Sequence, residues 1–213
     1  MMLKVVVIVC AMAGVIGSVL APDDSFMGGP ATLLFFTIQS NIWIAIVCLV
    51  GLIRMVQGKK MSRNAGLAKF VFTISITLTG MVFCFMLAPT LGKNAFDQNS
   101  VNCHVIVPIA AVADFLLTGG EIEYKRKEVW LVALPPLYYT IFAAIGYVCN
   151  WQFVKGQNYP YFFLNWGSPA GAFGFCDELP YLGVVWWILI LLGFLLLCGE
   201  LFLALVRKGK WLK

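Results

Sequence analysis

Six stretches of this 213-residue chain are too apolar and too long to rest in water. They lie near residues 3–21, 32–56, 66–88, 101–118, 129–149 and 181–206, each close to the roughly 20 helical residues that cross a hydrocarbon core of about 30 Å. In lipid, backbone polar groups must be satisfied internally, and a helix does this within one segment. Composition agrees, with 61% of residues hydrophobic and 12% charged, against roughly 25% charged in a soluble domain. The expectation is an all-α membrane protein, a single polytopic domain over residues 1–213 with six transmembrane helices. Residues 1–21 hold one lysine and no convincing small-residue cleavage site, and read as the first span rather than a removed signal.

Prolines punctuate the runs. Pro22, Pro30, Pro89 and Pro180 fall at ends, where a missing N–H is tolerated. Pro108, Pro135 and Pro136 lie inside or near the start of runs and predict kinks or a late helix start. Charge sets the orientation. Thirteen of the 15 Lys and Arg fall on one side: Lys4, then Arg54, Lys59, Lys60, Arg63 and Lys69, then Lys125, Arg126 and Lys127, then Arg207, Lys208, Lys210 and Lys213. Lys93 and Lys155 fall on the other, beside Asp23, Asp24, Asp97, Asp177 and Glu178. The positive-inside rule then puts both termini in the cytoplasm. The net charge of +5 is a topology signal, and nucleic acid is not expected as a partner.

The connection between the fifth and sixth helices, residues 150–180, faces outside and is dense in rings, among them Trp151, Phe153, Tyr159, Tyr161, Phe163 and Trp166. Such rings favour the headgroup level or a covered cavity. The segment is therefore either an interfacial anchor or a lid over a lipid-accessible pocket.

The second run carries Thr37, Gln39, Ser40 and Asn41 among Leu, Ile, Val, Phe and Trp. At 100° per residue Thr37, Ser40 and Asn41 share one face of a helix, and Gln39 points away toward a neighbouring helix. His104, the single histidine, starts the fourth helix. Thr37 and His104 lie roughly 8 Å and 5 Å below the outer boundary, a shared depth. A hydroxyl within reach of an imidazole is the minimum for a base-activated nucleophile. Equally, a membrane threonine commonly bonds its own helix carbonyl, and a solitary histidine can be structural. On the residues alone both readings stand.

Phe36-Thr37-Ile38-Gln39-Ser40-Asn41, His104 with Pro108 one turn on, and Tyr159-Pro160-Tyr161-Phe162-Phe163-Leu164-Asn165 together resemble the androgen-induced protein and androgen-dependent TFPI-regulating protein family of integral-membrane hydrolases, its bacterial relatives above all. The resemblance covers about residues 30–165. It implies hydrolysis of fatty acid esters of hydroxy fatty acids, or similar long-chain esters, by a threonine nucleophile and a histidine base, roles that fall on Thr37 and His104. The expected partners are a lipid substrate with a long acyl chain and the membrane itself, that of the bacterial cell or, in a eukaryote, the endoplasmic reticulum or plasma membrane. Asn41 is a candidate oxyanion donor, with Ser40 orienting it, and Tyr159, Tyr161 and Asn165 are candidate lid and substrate contacts. A small transporter or channel and a lipid-binding protein without chemistry are the competing functions.

Other polar groups read as structural, with a proton or ion pathway the alternative for Asp114 and Glu200. Asp114 and Glu200 call for partners, with Arg54 or Lys69 within reach. Thr73, Ser75, Thr77 and Thr79 surround their helix and suit helix-packing hydrogen bonds. Of the seven cysteines, Cys149 and Cys176 would staple the outer loop if that face is oxidising. No cysteine and histidine spacing suits zinc, and no metal or cofactor is expected.

Overall fold

The computed structural model describes residues 1–22 and 28–210, apart from the side chains of residues 93, 94, 209 and 210. Asp23, Asp24, Lys213 and the side chains of Lys93 and Lys210 therefore lie outside the description. Six helices are long and apolar enough to cross a membrane: α1 Met2–Leu20, α2 Phe36–Val56, α3 Arg63–Leu91, α4 Gln98–Glu121, α5 Arg126–Val148 and α6 Val184–Lys208. Pairing between extended segments is limited, among the described residues, to the isolated bridges Val154–Gln157 and Phe175–Leu182. The all-α, six-span architecture expected from hydropathy is the one the chain adopts.

Burial shows what solvent the helices meet. On α1, Val5, Val9, Met12 and Ile16 are exposed, an apolar stripe at helical spacing. Lys4, Val7, Ala11, Gly14, Val15 and Ser18 form the opposite, buried face. A helix with its polar groups inside and its aliphatic side chains outside is dressed for lipid.

Two helix boundaries differ from the hydropathy reading, each for a backbone reason. The second run does not enter as one helix from residue 32. Pro30–Leu34 is a 3₁₀ turn and Phe35 is extended at φ −83°, ψ 142°, so α2 begins at Phe36. Thr37 thereby sits in the first helical turn, where backbone N–H groups lack intrahelical acceptors. Pro89 does not end α3. The helix slips through a π turn at Phe83–Leu87, in which Ala88 N–H reaches back to the Phe83 carbonyl, and continues to Leu91. Pro108 acts alike: a π turn at Asn102–Ile106 lets Val107 N–H bond the Asn102 carbonyl before the proline that cannot donate. The two widened turns face each other across Gly80, where a Cβ would stand 2.9 Å from the His104 carbonyl oxygen. As the twin prolines imply, regular α-helix in α5 starts late: Arg126–Ala133 is 3₁₀ and Leu134–Val148 is α.

Helix α1 packs on α2 and α4, and α3 packs on α2 and α4. α5 and α6 pack together along Arg126–Ala133 but scarcely touch over Leu134–Val148. They form a V that opens away from the basic connections. The aromatic segment at 150–183 folds down into the mouth of that V. Trp151 and Phe153 approach Gly146, where a Cβ would stand 2.8 Å from Trp151, and Phe35 meets the Phe153 and Tyr161 rings edge-on at 6.0 Å and 5.7 Å. The loop needs no disulfide for this. All seven cysteines are free, Cys149 is exposed, and the Cys176 thiol donates to the Glu178 carbonyl.

The membrane carboxylates find other partners than expected in part. Asp114 pairs with Lys69 and also with Lys4. Glu200 pairs with Arg126 at 3.3 Å, and Arg54 donates instead to the Lys60 carbonyl.

Candidate functional site

Thr37 occupies the first turn of α2 and is 4% exposed; His104 sits in the α4 π turn and is 3% exposed. Thr37 Oγ1 lies 3.2 Å from His104 Nε2. The other ring nitrogen, Nδ1, lies 3.0 Å from the Ser100 carbonyl oxygen. A carbonyl can only accept, so Nδ1 carries the proton and donates to it. Nε2 is left with its lone pair toward Thr37, whose hydroxyl donates. The histidine is thus held in the tautomer a general base requires, with a backbone carbonyl in the place where many hydrolases use a carboxylate. Phe83, from the facing π turn, stacks on the imidazole at 3.8 Å between centroids and 14° between planes, which fixes the ring's tilt.

Tyr161 closes the other side. The backbone N–H of Thr37 donates to Tyr161 Oη at 3.4 Å, which satisfies one orphan donor of the helix start. The same oxygen lies 3.4 Å from Thr37 Oγ1. With the Thr37 proton committed to His104, the phenol is the donor in that contact. Burial pushes the Tyr161 phenol above its ordinary value of 10, opposed by the hydrogen bond from the Thr37 backbone N–H, so it stays protonated at neutral pH. Tyr139 supports it from α5, with rings 6.1 Å apart and its own hydroxyl donating to the Leu34 carbonyl at 3.1 Å.

Asn41 and Ser40 hold the Thr37 backbone. Asn41 Nδ2 donates to the Thr37 carbonyl at 2.8 Å and to the Cys103 carbonyl at 3.2 Å, tying α2 to the π turn. Both amide hydrogens are therefore committed to backbone, and Asn41 clamps the site rather than pointing a donor into it. Ser40 Oγ bonds the Thr37 carbonyl at 3.0 Å and Thr79 Oγ1 at 2.8 Å. Gln39 does not reach a neighbouring helix; its amide donates to the Leu33 carbonyl at 3.3 Å. That carbonyl is the one Thr37 would have used for a bond back along its own segment.

Thr37 stands between two cavities. One, of about 60 Å³, is apolar and lined by Phe36, Leu78, Tyr161 and Phe163, with Thr140 from α5 and Leu191 from α6. It lies where the two arms of the V part. The other, of about 100 Å³, is lined by His104, Ser100, Asp97, Asn99 and Ser18 as well as Thr37. The hydroxyl is shared by a greasy space and a polar one.

The sequence candidates sort accordingly. Thr37, His104 and Tyr161 are brought together, with Ser40 and Asn41 behind them. Tyr159 and Asn165 stay outside: the Tyr159 carbonyl accepts from Gln157 Nε2 at 2.8 Å, and Asn165 Oδ1 caps a turn by accepting from Gly167 N–H at 3.0 Å. Of residues 159–165, it is Tyr161, Phe163 and Leu164 that line the apolar cavity. Sequence reasoning missed Ser100, Phe83 and Tyr139. Ser100 precedes His104 by one turn, a spacing that signals contact only once the helix type is known. No cluster of metal-binding side chains occurs among the described residues. The chain matches no family model, and it matches neither a curated protein nor a solved structure.

Proposed function

We propose that this protein is an intramembrane lipid ester hydrolase in which Thr37 is the nucleophile and His104 its general base, acting on esters of hydroxy fatty acids or similar long-chain esters. The observation that carries the reading is the oriented pair itself: Thr37 Oγ1 is 3.2 Å from a ring nitrogen whose partner nitrogen is bound to a carbonyl. A structural threonine and histidine do not need that tautomer, nor a position between an apolar and a polar cavity.

The acyl chain enters between the α5 and α6 arms, and the ester carbonyl lies against Thr37. His104 Nε2 takes the hydroxyl proton as Thr37 Oγ1 bonds the carbonyl carbon. The negative charge on the former carbonyl oxygen is met by the Tyr161 hydroxyl and by the N-terminal turn of α2, whose backbone dipoles favour an anion there. Collapse breaks the ester C–O bond, and the departing alkoxide takes the proton back from His104. Water from the polar cavity then repeats the sequence on the acyl-threonine, releasing the acid and restoring the hydroxyl. Two half-reactions sharing one base need water near Thr37, and the cavity lined by Asp97 and Ser100 offers that route. The resemblance to bacterial relatives points to a bacterial plasma membrane. With both termini cytoplasmic by the positive-inside rule, cleavage falls in the outer leaflet.

The test is turnover of a long-chain hydroxy-fatty-acid ester by purified protein in lipid nanodiscs. Thr37→Ala and His104→Ala are each expected to abolish it while the thermal unfolding midpoint stays within a few degrees. Because the two residues act as a unit, the double variant is expected to be hardly worse than either single one. A fluorophosphonate probe should label wild type and not Thr37→Ala. Full turnover by Thr37→Ala would overturn the assignment, and bound lipid recovered without turnover would then point to carriage of lipid without chemistry.

A further inference from the structure

The opposite end of the bundle holds a larger cavity, of about 420 Å³, reached from the side of the basic connections. Its lining includes Lys4 from α1, Lys69 from α3, and Lys59 and Lys60 from the turn between α2 and α3, with Glu121 as the carboxylate in the wall. That volume falls in the range of small-molecule sites.

Its floor carries an unbalanced charge. Lys4 Nζ donates to both oxygens of Asp114, at 2.6 Å and 2.8 Å. Lys69 pairs with the same carboxylate and donates to the Asp114 carbonyl at 3.3 Å and Thr118 Oγ1 at 2.6 Å. The three residues are 4%, 3% and 2% exposed in the order Lys4, Lys69, Asp114. Two lysines thus share one carboxylate out of water. A buried charge left over in this way is strongly unfavourable unless a counterion completes it.

The rim adds to the excess. Lys59 and Lys60 are held in place by backbone and side-chain bonds from the end of α2: Lys59 N–H to the Arg54 carbonyl at 2.8 Å, and Arg54 Nε to the Lys60 carbonyl at 2.8 Å. Four lysines face the carboxylates of Asp114 and Glu121, an excess of basic groups around one space. Gly51 keeps that space open, since a Cβ there would come within 3.1 Å of Lys4 Cε and of Met61 Cε.

We propose that this cavity binds an anionic phosphate, with Lys4 donating from the floor and Lys59 and Lys60 closing on it from the rim. Lysine donors spread over floor and rim suit a compact anion with several oxygens better than a single carboxylate. Lysine ammonium groups act as point-charge donors to such groups. Basic pockets between helices at the cytoplasmic interface are where anionic lipid headgroups are held. The phosphate can belong to a membrane lipid or to a soluble compound. The site does not involve Thr37 or His104, so its test stands apart from the hydrolase reading.

The experiment uses the full chain in dodecylmaltoside micelles and reads the thermal unfolding midpoint. Phosphatidylglycerol is titrated against phosphatidylcholine in one arm, and inorganic pyrophosphate is added in another. Wild type is expected to show a saturable rise of roughly 5 °C or more with phosphatidylglycerol well above its Kd, and none with phosphatidylcholine. A rise with phosphatidylglycerol alone assigns a lipid headgroup; a rise with pyrophosphate as well assigns the phosphate group from either source. Lys59→Ala/Lys60→Ala is expected to lose most of the rise. So is Met61→Trp, which fills the cavity without changing charge. Lys125→Ala/Lys127→Ala, an equal charge loss outside the cavity, is expected to keep it. An equal loss in both lysine pairs would mean general attraction to a basic surface and would overturn the proposal. So would the absence of any rise with both phosphatidylglycerol and pyrophosphate.

Discussion

Two buried polar clusters divide the bundle between them, and they are built from opposite materials. At the loop end, Thr37, His104 and Tyr161 are neutral groups joined by hydrogen bonds of 3.2 Å and 3.4 Å, each with a donor direction forced by its neighbour. At the basic end, Lys4 and Lys69 are paired directly with one carboxylate, Asp114. A neutral hydrogen bond contributes about 0.5–1.5 kcal/mol to stability, whereas removing one member of a buried ion pair costs about 3–5 kcal/mol. The first cluster leaves a polarised hydroxyl between two cavities at little cost to the fold. The second ties α1, α3 and α4 together, and its one hydroxyl, Thr118, is spent between Lys69 and the Asp114 carbonyl. Activity and stability should therefore separate along the length of the molecule.

The largest effect on the fold belongs to the basic end. Asp114→Asn leaves Lys4 and Lys69 facing each other without a counter-charge, and is expected to destabilise the protein by about 3–5 kcal/mol. Turnover per folded molecule in nanodiscs should be unchanged. A fall in kcat with the midpoint preserved would join the two clusters functionally and break the comparison.

Next comes Tyr161→Phe. Removing one oxyanion donor typically costs about 10²–10³ in kcat, or about 2.7–4 kcal/mol. Folding should suffer little, because the ring contacts with Phe163 and Phe35 remain. The pH profile sharpens the assignment. Protonating His104 removes the lone pair that receives the Thr37 proton, so activity should be lost toward acid pH as the imidazole takes up a proton. Deprotonating Tyr161 would remove a donor, but burial moves that event above its ordinary value of 10. Wild type should accordingly show an acid limb and no alkaline decline below about pH 10. A decline near pH 8 that disappears in Tyr161→Phe would contradict the protonated-donor role.

How far these clusters were legible in the sequence follows from their chemistry. Six spans and the shared depth of Thr37 and His104 come from hydropathy and rise per residue, which lipid enforces strictly. The aromatic loop read correctly as ring-dense, but which of its residues turns inward did not follow, since Tyr159 and Tyr161 have the same parity and differ only in tertiary packing. Ser100 and Phe83 became visible only through the π turns before Pro108 and Pro89, where the backbone slips a hydrogen bond and rotates the following side chains. Hydropathy reads proline as a boundary and cannot see that slip. Lys4 counted as an interfacial charge, yet it folds inward to Asp114 because a carboxylate in the membrane draws every cation its chain can bring.

Asn41 gives the smallest of these effects, and the one that discriminates most finely within the site. From sequence it is the natural oxyanion donor, one turn from Thr37 on the same face. In the folded chain both its amide hydrogens are spent on the carbonyls of Thr37 and Cys103. Asn41→Ala removes two backbone tethers and leaves the Cys103 carbonyl short of a partner, at about 1–3 kcal/mol. Thr37 then sits on a looser turn while the Tyr161 hydroxyl and the α2 N-terminus keep their places. Turnover should fall roughly tenfold, less than in Tyr161→Phe, because misplacing a hydroxyl costs less than losing a donor to the developing charge. The double variant tests the division of labour: two independent roles give multiplicative losses, and one shared oxyanion role gives less. If Asn41→Ala fell deeper than Tyr161→Phe, with its unfolding midpoint intact, the amide would have to turn into the cavity during turnover, and the oxyanion role would pass from Tyr161 to Asn41.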